Sequence, residues 1–316
     1  MSLLVLSRAD VAAHLSYEAC IPLMRDAMTA LSQGRTKQLL RQIIDLDGGR
    51  AFGVMPGASA ENFGAKLISV FPAADGAPSH RGVVALFDPE TGVPAAIVDG
   101  SELTGIRTAA ASAAATEALA RSDARRLAIL GTGEQALRHI EAIRAARALD
   151  SVTIWGRARD KAEALAERTG ANVAATPREA AEQADIICTV TASPEPVLLG
   201  RWVAPGTHVN LVGSSRAGPI EVDSDLVRRA RFFADHEEGV RRQGAEFLKA
   251  LEEGAVNEDH LLGEIGDVFA GTLPGRTARD DVTVYKSLGS IVQDLAAGWY
   301  LVRRARADGW GAHVRF

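Results

Sequence analysis

Between Arg125 and Arg157 the chain reads RRLAILGTGEQALRHIEAIRAARALDSVTIWGR: an apolar strand, a glycine turn, a helix and a second strand in direct succession. Leu127–Leu130 are uniformly apolar, as a strand covered on both faces must be. Ala136, Ile140, Ile143 and Ala146 recur at helical spacing, and Val152-Thr153-Ile154-Trp155 follows where a parallel crossover would return. The turn itself is Gly131-Thr132-Gly133-Glu134-Gln135-Ala136. Gly131 permits a tight turn out of the strand, Gly133 lets the backbone approach a pyrophosphate, and the small Ala136 lets helix and strand pack closely. Unpaired N–H groups at the helix start near Glu134, with the positive end of its dipole, favour an anion there. The pattern predicts a βαβ unit that binds a nicotinamide or flavin dinucleotide.

Alternation continues downstream. A helix is expected over 160–168, a strand near 172–175, a helix opened by the Thr176-Pro177 cap, and strands over 185–191, 208–213 and 231–235. The first 110 residues read differently, with a helix over 17–33 followed by strand-like runs at 39–46, 51–55, 64–70, 82–87 and 95–99. Pro56-Gly57, Asp75-Gly76 and the run Asp88–Gly92 supply turns. An alanine-dense helix over 109–120 joins the halves as a packed connector, and a helical stretch over 287–306 returns to the first. The expected class is α/β: a Rossmann-type parallel-sheet nucleotide domain, residues 113–287, plus a discontinuous α+β substrate-binding and dimerisation domain, residues 1–112 and 288–316.

At 316 residues the chain can fill two cores, and its 47% hydrophobic and 24% charged composition with a net charge of −5 is that of a globular protein. No basic excess points to nucleic acid. No apolar run approaches the roughly 20 residues a bilayer demands, and the opening MSLLVLSRAD carries no basic leader, so a cytoplasmic protein with no membrane partner is expected. Cys20 and Cys188 lack metal-ligand spacing and read as small apolar residues in a reducing compartment. Seven scattered histidines form no ligand motif, and no metal is expected.

Cofactor choice turns on the end of the second strand. An acid there would bind ribose hydroxyls, whereas an arginine can fork onto a 2′-phosphate. Here the strand runs into Trp155-Gly156-Arg157, with the first acid at Asp160. Arg157 therefore favours NADP(H), with NAD(H) as the alternative.

Several segments share one order along nearly the whole chain: Asn62-Phe63-Gly64-Ala65-Lys66, the turn Phe87–Gly92, Leu103-Thr104-Gly105-Ile106-Arg107-Thr108-Ala109-Ala110-Ala111, the GTGEQA loop, and Val284-Tyr285-Lys286-Ser287-Leu288-Gly289 with Gln293-Asp294-Leu295. Together they resemble the ornithine cyclodeaminase/mu-crystallin family. The resemblance implies a homodimer whose α+β domains join sheets, and an active site between the α+β and nucleotide domains. It also implies a substrate carboxylate held by Arg41, Lys66 and Arg107, of which Lys66 and Arg107 are the catalytic candidates, and a loop carrying His80 near the nicotinamide. Cofactor contacts carry over to Thr132, Glu134, Gln135, Gly156, Arg157, Thr191, Val212 and Ser287, beside Gly131 and Gly133. In the cyclodeaminases a G-G-D-x-P segment and a glutamate before a Met-Pro pair are expected. This chain has Gly213-Ser214-Ser215-Arg216 and Gly53 at those places, and Gly82 where relatives often carry a threonine. Without those carboxylates no base activates an ornithine amine. The resemblance is thus to the ketimine reductase branch: an NAD(P)H-dependent reductase of small α-imino acids such as Δ1-pyrroline-2-carboxylate or Δ1-piperideine-2-carboxylate. Ornithine cyclodeaminase, an alanine dehydrogenase-like enzyme and a non-catalytic NADP-binding protein of mu-crystallin type are the alternatives.

Overall fold

The computed structural model describes residues 2–71, 80–213 and 217–315, with only the backbone of His80 included. The chain divides into two compact units, residues 1–107 with 290–316, and residues 108–289.

The second unit holds an eight-stranded sheet. From one edge it runs Asn172–Val173, Ser151–Trp155, Arg126–Leu130, Ile186–Thr189, His208–Leu211, Val282–Lys286, Ala230–Ala234 and Leu261–Glu264, and every neighbouring pair is parallel. Ranked by sequence, the first five positions are 3-2-1-4-5, the order of a Rossmann sheet. The last strand of the unit inserts next, ahead of two earlier ones. It carries Ser287 to the same edge as the glycine turn. Arg126–Leu130 and Ile186–Thr189 lead away in opposite directions, which makes the gap between them the switch point where such sheets take ligands.

The first unit also builds on an eight-stranded sheet: Ala312–Arg315, Ser2–Leu6, Pro94–Asp99, His80–Phe87, Phe63–Val70 and Ala51–Ala58, with Lys37–Gln38 and Gln42–Asp45 both pairing the outer side of the last. Only the contact between Ser2–Leu6 and Pro94–Asp99 is parallel. Helix Ile291–Asp308 crosses the middle strands, with helix Tyr17–Ser32 against it. Glycines set how closely it lies. A Cβ on Gly57 would come within 2.6 Å of Ile291 Cγ2.

Four local expectations are corrected here. Pro56-Gly57 is no turn but lies inside the strand Ala51–Ala58, opposite Ala65 and Gly64. Proline is tolerated because the outer partner is interrupted there: Gln38 pairs Gly57 and Gln42 pairs Val54, so no ladder bond needs the missing N–H. For the same reason the expected strand over 39–46 shortens to Gln42–Asp45. The alanine helix starts nine residues earlier than expected, at Gly100, and runs to Leu119. Asp99 accepts the Glu102 N–H at 2.8 Å and caps it. The last helix begins only at Ile291, since Gly289 takes φ +85° and the Ser290 hydroxyl caps the start, leaving 287–289 as a loop.

Candidate functional site

In the first unit, Lys66 sits mid-strand in register with Met55 and Val84, and is 2% exposed. Its Nζ donates to Thr104 Oγ1 at 2.6 Å and to Asp294 Oδ1 at 3.1 Å. One helical turn beyond Thr104, Arg107 donates from Nε to the same Oδ1 at 3.1 Å and from its guanidinium to Gln293 Oε1 at 2.7 Å. A strand and two helices thus deliver two cations onto one carboxylate, all of it buried. Burial drives the Lys66 ammonium down to about 8; Asp294 opposes the fall, while the charges of Arg107 and Arg41 deepen it. Burial also works against ionised Asp294, but Arg107 and Lys66 hold it below the usual carboxylate range. Asp294 Oδ2 is buried with no hydrogen-bond partner among the described residues.

Arg41 stands, half-buried, in the break of the outer strand beside Pro56, and its charge is felt at Lys66. His80 opens the strand His80–Phe87 opposite Val70; its side chain, and the loop 72–79 before it, lie outside the described residues. Gly82 has a local cause: a Cβ there would meet Leu67 O at 2.2 Å, so a threonine would require the backbone to move.

In the second unit the candidate nucleotide residues all fall at carboxyl ends of strands. Gly131 takes φ +134°, and a Cβ on it would lie 2.8 Å from Val190 O across the switch point. Its N–H donates to Trp155 O at 2.8 Å. Gly133 differs: with φ −81° it caps helix Glu134–Ala146 without a side-chain bond, and a Cβ would meet nothing within 4 Å. Thr132 packs its methyl where a Gly156 side chain would be, 2.4 Å from the ideal Cβ. Glu134 and Arg157 are exposed. Val212 donates its N–H to Thr189 O, and Thr191 bonds Glu221 through both N–H and hydroxyl, at 2.6 and 2.7 Å. Ser287 donates its N–H to Leu211 O at 3.0 Å; Asp235 accepts the N–H groups of Leu288 and Gly289 at 2.7 and 2.6 Å and holds that loop in place. Two polar atoms on these residues, Gln135 Oε1 and Ser287 Oγ, are buried without a partner among the described residues. Orphaned groups beside an uncapped helix start, over a glycine whose Cβ direction is open, fit a polar phosphate-bearing ligand.

Sequence reasoning assigned no role to Thr104, Gln293, Asp294, Glu221 or Asp235. Gln293-Asp294 did carry a signal, as a polar pair at the start of an otherwise apolar helical stretch, Ile291–Val302. Glu221 and Asp235 carry none, because their partners are backbone N–H groups and, for Glu221, two threonine hydroxyls that no local pattern marks. Among the described residues no group of three His, Cys, Asp or Glu could hold a metal ion, and no helix is long and apolar enough to cross a membrane.

Strand order and a glycine turn at the carboxyl edge define a dinucleotide-binding class of fold. The chain belongs to the ornithine cyclodeaminase/mu-crystallin family, whose model matches residues 1–309. It is 36% identical over 303 residues to ketimine reductase mu-crystallin of Mus musculus, across 92% of this chain and 94% of that protein. Among solved structures it resembles Thermococcus litoralis Δ1-pyrroline-2-carboxylate reductase in complex with NADH and L-proline, with a TM-score of 0.94, 30% identity, and 99% and 100% of the two chains covered. An archaeal alanine dehydrogenase dimer with bound NAD gives a TM-score of 0.93 at 25% identity over the full length of both chains.

Proposed function

We propose that this chain is an NAD(P)H-dependent reductase of small α-imino acids, and that it converts a cyclic ketimine such as Δ1-pyrroline-2-carboxylate or Δ1-piperideine-2-carboxylate to the L-amino acid. The observation that carries this reading is the buried trio Lys66–Asp294–Arg107. Two buried cations share a single carboxylate there, with Arg41 adding to the same field, and a small organic anion is what such a site stabilises. Arg107 presents a planar fork to the substrate carboxylate, Arg41 completes the clamp at the sheet edge, and His80 approaches from its loop. Gly131, Thr132, Gly133, Glu134, Gln135, Gly156, Arg157, Thr191, Val212 and Ser287 would hold a reduced nicotinamide dinucleotide, which would supply a hydride for an imine carbon. Lys66, held near the ammonium–amine balance, keeps the imine nitrogen polarised and its proton in place while the carboxylate fixes the carbon's position. The names of the mouse and Thermococcus relatives support this chemistry, and L-proline is what reduction of a five-membered cyclic ketimine acid yields.

Arg157 favours NADP(H) within this reading, although NADH or NAD occupies the two archaeal relatives. The outer strand Gln42–Asp45 is exposed along its whole length, with Ile43 49% and Ile44 59% accessible, and Leu39 just before it is 61% accessible. An apolar edge of this kind is covered in a functioning protein, and a second copy of the chain is the occupant we favour; a monomer in sedimentation equilibrium would remove that element. A reducing cytoplasm suits the unpaired, buried Cys20 and Cys188.

Spectrophotometric loss of NADPH or NADH with cyclic ketimines, and with 2-oxo acids plus amines, run beside an ammonia assay on ornithine, tests the reading. Nucleotide oxidation with a cyclic ketimine is expected. Ammonia from ornithine without net nucleotide consumption would replace it with the lyase. Residues 214–216, where that lyase's aspartate is expected, lie outside the described residues, while Gly53 offers no carboxylate and a Cβ on it would lie 3.0 Å from Ile68 Cγ2.

A further inference from the structure

Glu221 has no accessible surface, and its carboxylate receives four donors. Oε1 accepts the Thr191 N–H at 2.6 Å and the Thr191 hydroxyl at 2.7 Å; Oε2 accepts the Gly213 N–H at 2.7 Å and the Thr189 hydroxyl at 2.8 Å. These partners come from the carboxyl ends of two adjacent strands, Ile186–Thr189 and His208–Leu211. The residue is itself fastened behind: its N–H donates to Glu246 Oε1 at 3.2 Å, its carbonyl accepts from Val197 and Leu198, and Glu246 Oε2 pairs with Lys286 Nζ at 2.8 Å. Lys286 precedes Ser287 directly. The Glu221 carboxylate therefore ties together the two strand ends that present Thr191 and Val212, and its backbone N–H reaches the one that presents Ser287 through Glu246 and Lys286.

We propose that Glu221 is a positioning residue for the dinucleotide: it never touches the ligand, but as a four-acceptor clamp it sets the spacing of the Thr191 and Val212–Gly213 loops between which the ligand lies. This rests on the nucleotide site assigned above. The clamp tolerates no amide. Each carboxylate oxygen faces one backbone N–H that cannot turn away, so a glutamine would direct its own N–H2 at either Thr191 or Gly213 and force that loop outward. An aspartate is too short to reach both. Gly213 shows how close the packing is, since a Cβ there would lie 2.4 Å from Glu221 Oε1 and 2.0 Å from Thr191 O. Burial pushes the Glu221 pKa up, but four donors and the nearby Lys286 charge favour the acceptor-only, ionised form.

The test measures NADH and NADPH dissociation constants by fluorescence on the full chain, with KM for the imino acid and thermal melting alongside. Glu221→Gln should weaken nucleotide binding about tenfold or more, the size expected from displacing a buried donor, and leave the imino-acid KM within about twofold, the scatter of unrelated sites. Thr189→Val, near-isosteric and removing only one of the four donors, guards against misfolding of the first variant and should weaken nucleotide about threefold, in keeping with one net hydrogen bond. Lowered melting temperatures with unchanged nucleotide affinity in both folded variants would overturn the clamp and leave Glu221 a stability residue. Absence of nucleotide binding by the wild-type chain would overturn the site assignment itself.

Discussion

The two units bury charge in opposite ways. In the nucleotide-type unit every buried charge described above meets its complement: Glu221 faces four donors, Asp235 accepts three backbone N–H groups, and Lys286 and Glu246 pair with both side chains fully buried. His139 and His208 lie among hydroxyls, a side-chain amide and a backbone carbonyl, and burial drives them down to about 4 and about 3, so both are neutral. In the first unit Lys66 and Arg107 share Asp294, and the surplus is positive. A compensated network is what a scaffold requires, because an uncompensated buried charge is expensive. An excess of one sign, retained in a packed core, marks where a ligand of the other sign completes the structure.

Arg107→Ala breaks this contrast most directly. It removes the positive surplus of the trio and leaves Asp294 paired with Lys66 alone. Truncating one member of a buried charged pair is worth about 2–5 kcal/mol, so kcat/KM for the imino acid should fall at least about thirtyfold, with the nucleotide dissociation constant unchanged. Arg107→Lys should recover little, since a point charge cannot hold Gln293, Asp294 and a carboxylate at once. Steady-state kinetics with parallel nucleotide titration decides the matter; a normal kcat/KM would show that the surplus charge does not face substrate.

The two glycines of the turn sharpen the comparison within the scaffold. Gly131→Ala places a side chain at φ +134° and 2.8 Å from a backbone oxygen, so both melting temperature and nucleotide affinity should drop. Gly133→Ala meets no protein atom and an ordinary φ, so melting should hold or rise slightly. Its nucleotide affinity should nonetheless fall about tenfold, because the open space a Cβ would enter is the one proposed for the pyrophosphate. Equal affinity for Gly133→Ala and wild type would remove the phosphate from this loop.

Much of this scaffold is legible in the sequence because its signals are local. A uniformly apolar strand, G-x-G-x-x-A and helical spacing lie within Arg125–Arg157, and the strands after them recur at regular intervals. Lys66 and Arg107 are legible through the segments around them. What they bond to is less so. Asp294 lies 228 residues from Lys66 along the chain, and only the sheet and the closing helix bring them together. Arg41 stands in a break in pairing that accommodates Pro56 one strand away, and a local reading takes that proline for a turn. Clamps such as Glu221 and Asp235 bind backbone N–H groups, which every residue has, joined at Glu221 by two threonine hydroxyls, and no sequence pattern marks them.

Alkaline pH should separate the two units again. Lys66 titrates near about 8 in the folded chain against 10.5 for the free side chain, so above about 8 the folded state gives up its proton first. The unfolded chain then binds more protons, and stability attributable to Lys66 rises as pH climbs from about 8 towards 10.5. Carboxylate affinity moves the other way: the cation is present below about 8 and lost above it. The dissociation constant of an aromatic carboxylate that does not itself titrate in this range should rise up to about tenfold per pH unit, while nucleotide affinity stays level. Lys66→Met should flatten both trends, and a wild-type carboxylate affinity independent of pH through this interval would dissociate Lys66 from the anion.

Arg157 carries the smallest expected effect, because it is exposed and therefore screened. It follows Gly156, where the chain must stay slim against Thr132, and so stands at the mouth of the nucleotide edge rather than inside the compensated network. A guanidinium there can add a forked contact to a 2′-phosphate but has nothing comparable to offer a ribose hydroxyl. Arg157→Ala should accordingly raise the KM for NADPH about three- to tenfold, an exposed charge-assisted pair being worth about 1 kcal/mol, and leave the KM for NADH and all imino-acid parameters where they were. The NADPH effect should shrink as salt is raised, since an exposed ion pair is screened over roughly 10 Å at 0.1 M ionic strength. If the ratio of kcat/KM values for NADPH and NADH does not change between wild type and Arg157→Ala, the arginine is an ordinary surface residue and the nucleotide edge carries no selector for the phosphate at this position.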